Sequence, residues 1–257
     1  MAEKIHRDGV TLSDSKSNSK PILKNPELKT TVKSGRLAQL LGAAVQFWLR
    51  TQVDKADTLE VTVGGTGRQL LSGCLPSVQV RGTGVVYEGL ALQDVAIAAS
   101  EIRVNLSQIL RGKPLQLQEP ITIDLVQTIS VDNLNGSVAA PLLAEAIADF
   151  VRPLLAQFEA STFIPKNLVS GDQSLTLRGT LRHNGQCHEV MLTTDLVLSS
   201  PQHLHFKNPQ WTAITPAAIS LPIVDSFEMD LGSDVAFRKL AISPDKIHCE
   251  GTLRVRP

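Results

Sequence analysis

The sequence is poor in aromatic residues and carries no net charge. Phe, Trp and Tyr make up 4% of the 257 residues, and 25 Lys and Arg residues balance 25 Asp and Glu residues. Proteins that bind nucleic acids usually present an excess of cations and aromatic rings on which bases stack. The composition therefore argues against a nucleic-acid partner. The apolar share of 42% is mostly aliphatic and is sufficient for a sizeable core.

Cysteines and long apolar runs are also scarce. Cys74, Cys187 and Cys249 are widely separated and form no Cys-x-x-Cys pair, so they indicate neither a disulfide framework nor a zinc knuckle. Residues 1–20 lack the apolar stretch of a secretory signal. No later run reaches the roughly 18 apolar residues of a membrane-spanning helix. From these absences we expect a cytoplasmic protein, at most peripheral to a membrane.

The longest stretch with a helical period is residues 34–53. Its apolar residues recur with a period near that of an α-helix and fall on one broad arc, whereas Arg36 and Arg50 fall on the other side. A second amphipathic helix is predicted over residues 139–158, with Pro141 in its first turn. Each pattern predicts a helix whose apolar face lies against another part of the fold.

Much of the remaining chain alternates apolar and polar residues with the period of β-strands. Strands are predicted at 58–63, 68–75, 77–81, 84–87, 90–105, 115–126, 174–183, 187–198, 203–211, 235–242 and 247–256. Asn184-Gly185 is a strong hairpin signal. Three similar segments centred on Gly73, Gly179 and Gly251 place a glycine within a predicted strand, which indicates a bulge or a sharp bend.

The Gly-Gly-Thr-Gly segment at residues 64–67 invites a nucleotide-binding interpretation. A glycine loop that cradles phosphate opens a helix, because the amide groups at the start of the helix face the anion. Residues 68–75 are instead predicted to form a strand. We therefore interpret the segment as a hairpin turn.

The order of these elements predicts an α+β fold, in which long helices pack on a strongly curved antiparallel sheet. Residues 1–33 lack an apolar period and are predicted to be a mobile tail. Residues 34–257 are predicted to form a single domain with two related halves, at about 34–137 and 138–257. Each half has a helix followed by several strands.

Few side chains combine into a recognisable catalytic or metal site. His183, Cys187 and His188 flank the predicted hairpin, and His203 and His205 share one face of a strand, but no cluster of carboxylates accompanies them. No Gly-x-Ser-x-Gly, His-Glu-x-x-His or Walker motif occurs. We therefore predict no catalytic residue, no metal ligand, no cofactor and no enzymatic activity. An apolar helix against a bent sheet is either a filled core or a groove for acyl chains, and the residues leave both open.

Several ordered motifs resemble one known family. They lie at residues 45–53, 68–76, 102–106, 110–115, 132–135 and 251–257. Over residues 34–257 the chain resembles the cyanobacterial branch of the LmeA-like phospholipid-binding proteins. The resemblance implies a fold similar to the tubular lipid-binding (TULIP) superfamily, a half-barrel in which a curved sheet wraps a long helix and leaves an apolar groove. It also implies that the chain binds a phospholipid or fatty acid without turnover.

The leading hypothesis is therefore a non-enzymatic protein that binds, and transfers, phospholipid in an elongated hydrophobic groove. We expect the groove to be lined by Leu37, Leu41, Ala44, Val45 and Trp48, with Arg50 or Arg103 as the headgroup partner. Transient contact with a membrane surface is part of this hypothesis. Two alternatives stay open, a protein-interaction scaffold with a filled core and a hydrolase that acts on a lipid or glycan.

Overall fold

The computed structural model describes residues 35–156, 161–214, 221 and 225–257, and most of these lie in β-strands. The predicted tail, residues 1–33, lies outside the described residues. The described helices are α1 Gly35–Gln52, α2 Gly67–Leu71, α3 Leu106–Ile109, α4 Val131–Gly136 and α5 Pro141–Leu154. The described strands are β1 Thr58–Gly64, β2 Cys74–Tyr87, β3 Leu90–Arg103, β4 Ile121–Ser130, β5 Thr162–Ser170, β6 Ser174–His183, β7 Gln186–Ser200, β8 His203–Ala213, β9 Phe227–Asp230, β10 Val235–Ile242 and β11 Lys246–Val255.

These strands form two antiparallel sheets. The first sheet has the order β1-β2-β3-β4-β11-β10, and the second has the order β5-β6-β7-β8-β9. Within the first sheet β4 and β11 pair along their whole length, from Ile121 opposite Val255 to Ser130 opposite Lys246. The two strands β10 and β11 therefore return to complete a sheet that β1 to β4 begin.

Alternation along the strands gives the first sheet an apolar face and a polar face. Directly opposed residues of antiparallel strands point to the same side of the sheet. One row across the apolar side, which we call the inner face, is Val63, Val78, Ala99, Ile123, Leu253 and Val235. The next row is Val61, Val80, Ile97, Leu125, Gly251 and Phe237. The intervening positions, such as Arg81 and Asp124, lie on the opposite side, the outer face.

Two hydrophobic cores hold the helices on the sheets. In the first core, α1, α2 and α3 bury Leu41, Leu70 and Leu106 against β1, β2 and the end of β3. In the second core, α4 and α5 pack on the second sheet and on one end of the first sheet. Phe150 of α5 stacks on Phe206 of β8 with ring centroids 4.4 Å apart. Full burial of one such large apolar side chain contributes about 1.5–3 kcal/mol.

The prediction of long helices packed on a curved sheet is wrong. The described chain is mostly antiparallel sheet with five short helices; α1 has 18 residues and α5 has 14. A reason is visible at each end of α5. Val131–Gly136 forms the separate helix α4, and Pro141 starts α5 anew as its first residue. Near the other end, Pro153 lacks an amide hydrogen and crowds the preceding turn, so α5 ends at Leu154.

The glycine-rich segment at residues 64–67 also differs from its prediction, because it opens a helix and not a strand. The Thr66 hydroxyl accepts a hydrogen bond from the Gln69 amide, and the Gln69 side chain accepts one from the Thr66 amide over 3.0 Å. This reciprocal pair is a capping box, which satisfies amide groups at the start of a helix. Helix α2 has only five residues and then leads into β2.

The predicted hairpin and two of the three predicted strand distortions are confirmed. Asn184 and Gly185 have φ angles of 49° and 76° between β6 and β7, the left-handed conformation that a tight hairpin requires. Gly179 and Gly251 lie opposite positions where the partner strands β5 and β10 shift register. Gly73 differs, because it precedes β2 and is not part of a strand.

Candidate functional site

The apolar face of α1 packs closely on the first sheet. The Leu41 side chain is 1% exposed and Val45 is buried beside it. Between them, α1 lies in van der Waals contact with β1, since a Cβ at Gly42 would lie 3.7 Å from the Val61 carbonyl oxygen. Leu41 and Val45, which were predicted to line a groove, therefore contribute to the first core at this contact.

The other predicted apolar residues lie around the same contact. Leu37 and Trp48 are half-buried and pack at the edge of the first core, and Ala44 is half-buried between them. They occupy one side of α1, as the helical period predicts. The structure thus brings the predicted apolar residues together on one helix face, most of it against protein.

The two predicted headgroup residues have different surroundings. Arg50 is exposed in the last turn of α1, and no described carboxylate lies within ion-pair distance of it. Arg103 ends β3 and is also exposed, but its Nε lies 3.5 Å from the Glu119 Oε1. Glu119 would compete with an anionic ligand for Arg103, whereas no described carboxylate would compete for Arg50.

A broader apolar surface lies on the inner face of the first sheet, between the two cores. Here side chains of β3, β4, β11 and β10 are half-buried and belong to neither core that the described residues form. We call them the inner strip: Val95, Ile123, Leu125, Val235, Phe237 and Leu253. Three spacings of about 4.8 Å separate β3 from β10, so the inner strip is about 14 Å wide. Ile123, Leu125, Leu253, Val235 and Phe237 lie in two adjacent rows of this surface, and Gln127 of β4 lies opposite Val95 on the same face.

Sequence analysis did not single out the inner strip. Each of its members is an ordinary apolar position of an alternating strand, and such positions are usually core. The strip exists only because Ile123 of β4 lies opposite Leu253 of β11, which in turn lies opposite Val235 of β10. The three strands are adjacent in the sheet, but β4 is distant in sequence from β10 and β11.

The outer face of the same sheet carries a shallow depression of about 230 Å³. Its lining consists of six outer-face residues together with Gly82 and Val95, which hold inner-face positions in the register: Arg81, Thr83, Asp94, Ala96, Val126 and Thr128 are the outer-face residues. None of the predicted site residues contributes to it. Although Arg81 and Asp94 contribute to the depression, most of the surface that it exposes is apolar.

Two of the histidines considered for metal binding, His183 and His203, and a further one, His248, take part in local hydrogen bonds. His183 Nδ1 lies 2.7 Å from the Ser161 hydroxyl. His248 lies between the Thr128 hydroxyl, at 3.0 Å, and the Glu250 carboxylate, at 3.2 Å. The contact with His248 holds the pKa of Glu250 below its usual value. Among the described residues, no group of three or more His, Cys, Asp and Glu side chains could hold a metal ion.

Comparison with known proteins identifies the family. The family model for LmeA-like phospholipid-binding proteins matches residues 32–252. The chain belongs to this family. No curated protein and no solved structure shows significant similarity to it. Membership in the LmeA-like family confirms the resemblance that the motifs indicate and makes a phospholipid the expected class of ligand.

Two of the motifs that resemble the LmeA-like family have a structural role here. The Asn105 side chain accepts a hydrogen bond from the Gln116 amide and donates one to the Pro114 carbonyl, at 2.8 and 3.0 Å. The Asn135 side chain makes both kinds of bond to the backbone of Leu168, at 2.6 and 2.9 Å. Each amide replaces backbone pairing that an irregular segment lacks. In these two motifs the asparagine side chains therefore stabilise the fold.

In the described part of this LmeA-like chain, the helices are too short or too polar to cross a membrane. The helix with the greatest length, α1, has exposed arginines near both ends.

Proposed function

We propose that this protein binds a phospholipid without transforming it, and that the acyl chains lie along the inner strip. Membership in a phospholipid-binding family supports the ligand class. The observation that carries the proposal is the inner strip, a set of half-buried apolar side chains on four adjacent strands that belong to neither core of the described chain. An acyl chain is the complement of such a surface because it offers only methylene groups.

Burial of methylene groups would supply the binding free energy. Each methylene removed from water contributes about 0.8 kcal/mol. The rows through Leu125 and Ile123 offer no charged side chain on β3, β4, β11 or β10, so an acyl chain crossing them would meet no polar group that needs a partner. We therefore expect the affinity of the inner strip to depend on the length of the acyl chain and much less on which acyl chain it is.

For the phosphate of the headgroup we favour Arg50 over Arg103, and because Arg50 lies on the exposed side of α1, the headgroup would lie outside the inner strip. A cation that already has a carboxylate partner must give up that contact before it binds a phosphate. Arg103 has such a partner in Glu119, whereas Arg50 has none among the described residues. Replacement of Arg50 by Gln is then expected to reduce discrimination between anionic and neutral phospholipids.

We extend the proposal to transfer of lipid between membranes. A ligand held by apolar contacts and one ion pair forms no covalent bond, so its release needs only a second apolar environment. The chain would then carry lipid between bilayers as a binding protein and not as an enzyme.

Native mass spectrometry of the purified protein, followed by lipid extraction, tests the function. We expect a phospholipid at close to one molecule per protein. A ligand-free mass that does not change after incubation with phospholipid vesicles would contradict the proposal.

A matched pair of substitutions on β4 tests the location. Leu125→Gln places an amide in the inner strip, where it lacks a partner against an acyl chain, at a cost of about 1–3 kcal/mol. We expect lipid occupancy to fall by roughly tenfold or more at limiting lipid. Thr122→Gln puts the same amide on the exposed outer face of the same strand and should retain wild-type occupancy. Equal occupancy in the two variants would place the lipid elsewhere.

The second candidate function is a protein-interaction scaffold with a filled core. The close packing of α1 on β1 at Gly42 favours it, because no space for an acyl chain lies at this contact. The scaffold hypothesis predicts a protein that takes up no phospholipid in the same mass-spectrometry experiment. Its partner would then be identified by affinity capture with the intact chain.

A further inference from the structure

The outer side of α1 is an exposed stripe with apolar residues in the middle and cations near both ends. Arg36, Leu40, Ala43, Phe47 and Arg50 follow one another at intervals of four and three residues, so they lie on one side of the helix. Leu40 is 52% exposed and Phe47 is 73% exposed. This stripe lies on the opposite side of α1 from Leu41 and Val45, and large apolar side chains on a surface helix indicate a binding surface.

Helices α2 and α3 add two similar positions at the end of the sheet where α1 begins. Leu71 of α2 is 65% exposed, and Leu110, directly after α3, is 58% exposed. Both helices are fixed there, because Leu70 and Leu106 are buried in the same core as Leu41. The Val104 amide also donates a hydrogen bond to the Gly73 carbonyl over 2.9 Å, which links the segments that carry α2 and α3.

The charge of these segments differs from that of the whole chain. Residues 35–52, 64–76 and 104–118 contain no Asp or Glu, although the chain as a whole has equal numbers of acidic and basic residues. Their cations are Arg36, Arg50, Arg68, Arg111 and Lys113, all exposed. None of them has an ion-pair partner among the described residues. These three segments are therefore purely basic within a chain that has no net charge.

We infer that this region, the exposed parts of α1, α2 and the α3 turn, docks on the surface of an anionic phospholipid bilayer. Leu and Phe side chains enter the boundary between headgroups and acyl chains, while Arg and Lys remain at the level of the phosphates. Cations that have no described carboxylate within ion-pair distance complement a surface of uniform negative charge. The inference rests on the proposed function, since docking would bring a lipid-binding protein to its ligand.

Vesicle sedimentation of the full chain tests the docking surface. One set of vesicles contains phosphatidylcholine alone, and the other contains equal parts of phosphatidylcholine and phosphatidylserine. We expect the partition coefficient to be about tenfold or more higher for the anionic vesicles, and to fall as salt screens the charges. Equal partition of the protein into the two sets of vesicles would overturn the inference, and so would failure to sediment with either set. A soluble acidic protein would then be the expected partner.

Two double variants separate the apolar and charged contributions. Leu71→Ser with Leu110→Ser and, independently, Arg68→Gln with Arg111→Gln should each lower partition into anionic vesicles by about tenfold. The substituted side chains are exposed, so the thermal unfolding midpoint should stay close to that of the wild type. Partition of both variants at the wild-type level would overturn the assignment of the surface.

Matched controls remove similar side chains elsewhere. Ile164→Ser removes an exposed apolar side chain from β5, and Lys207→Gln with Lys246→Gln removes two exposed cations outside the docking surface. Both should sediment as the wild type does, and a loss equal to that of the test variants would overturn the assignment.

Native mass spectrometry of the same samples distinguishes the two proposals. If the protein carries phospholipid but does not sediment with anionic vesicles, the docking inference alone is overturned. If it sediments with anionic vesicles but carries no phospholipid, the proposed function alone is overturned.

Discussion

Leu40 and Leu41 are adjacent in α1 and offer a direct test of how this helix is oriented. The Leu41 side chain is 1% exposed and the Leu40 side chain is 52% exposed. Leu41→Ala removes buried methyl and methylene groups and leaves a cavity, so we expect a loss of about 2–5 kcal/mol in the free energy of unfolding. Leu40→Ala removes groups that already contact water and keeps a good helix former, so we expect a change within about 0.5 kcal/mol.

Urea unfolding followed by circular dichroism measures both values. With a slope of about 2–3 kcal/mol/M, Leu41→Ala should lower the urea midpoint by about 1 M or more, whereas Leu40→Ala should leave it nearly unchanged. If Leu41 lined a lipid groove instead, its truncation would weaken lipid binding and spare the stability of the lipid-free protein. Equal midpoints for the two variants would therefore refute the packing of α1 described here, and lipid occupancy of the same samples would show which role Leu41 has.

Three further predictions concern other parts of the chain. Burial raises the pKa of the Cys249 thiol to about 11. At pH 8 Ellman's reagent should therefore modify the exposed Cys187 rapidly and Cys249 only after unfolding. Equal rates of modification at the two cysteines would contradict the burial of Cys249. The pKa of Glu250 is lowered mainly by its hydrogen bond with His248. This stabilisation is therefore present above the ordinary pKa of about 4.5 and is lost as pH falls through the lowered value, so Glu250→Gln should destabilise the protein at pH 6 and much less at pH 3 in thermal melts. Gly251→Val should lower the melting temperature sharply, because a Cβ would lie 2.6 Å from a carbonyl oxygen of β10; an unchanged melting temperature would show that β10 can move aside.

Local features of the sequence predicted local features of the structure well. Strand β10 was predicted with its observed bounds, and α1 was predicted within a residue at each end, because each has a clear hydrophobic period. Asn184-Gly185 specified its hairpin through the left-handed conformation that both residues adopt. In these places the decisive interactions lie within a few residues of one another.

Features that depend on distant contacts or on very short helices were not predictable in the same way. Helix α2 rests on the pair Thr66 and Gln69, which stands among glycines that usually indicate a turn. The inner strip needs the register of β3 with β4, of β4 with β11 and of β11 with β10, and no local pattern contains that register. The predicted groove residues were correctly assigned to one face of α1, but only the packing at Gly42 shows how closely that face approaches β1.

The pairing of β4 with β11 also has a consequence for how the chain folds. Residues 131–245, which include the whole second sheet, lie between the two strands, so one edge of β4 stays without its partner while all of them are synthesised. Closing a loop of this length is slow, because chain entropy opposes contacts between distant segments. The second sheet, whose strands pair in sequence order, can form meanwhile. An unpaired strand edge with apolar neighbours can pair with the strand edges of other chains and so promote aggregation. The polar side chains Thr122, Asp124 and Thr128 on the outer face of β4 would make such a transient edge less prone to aggregate.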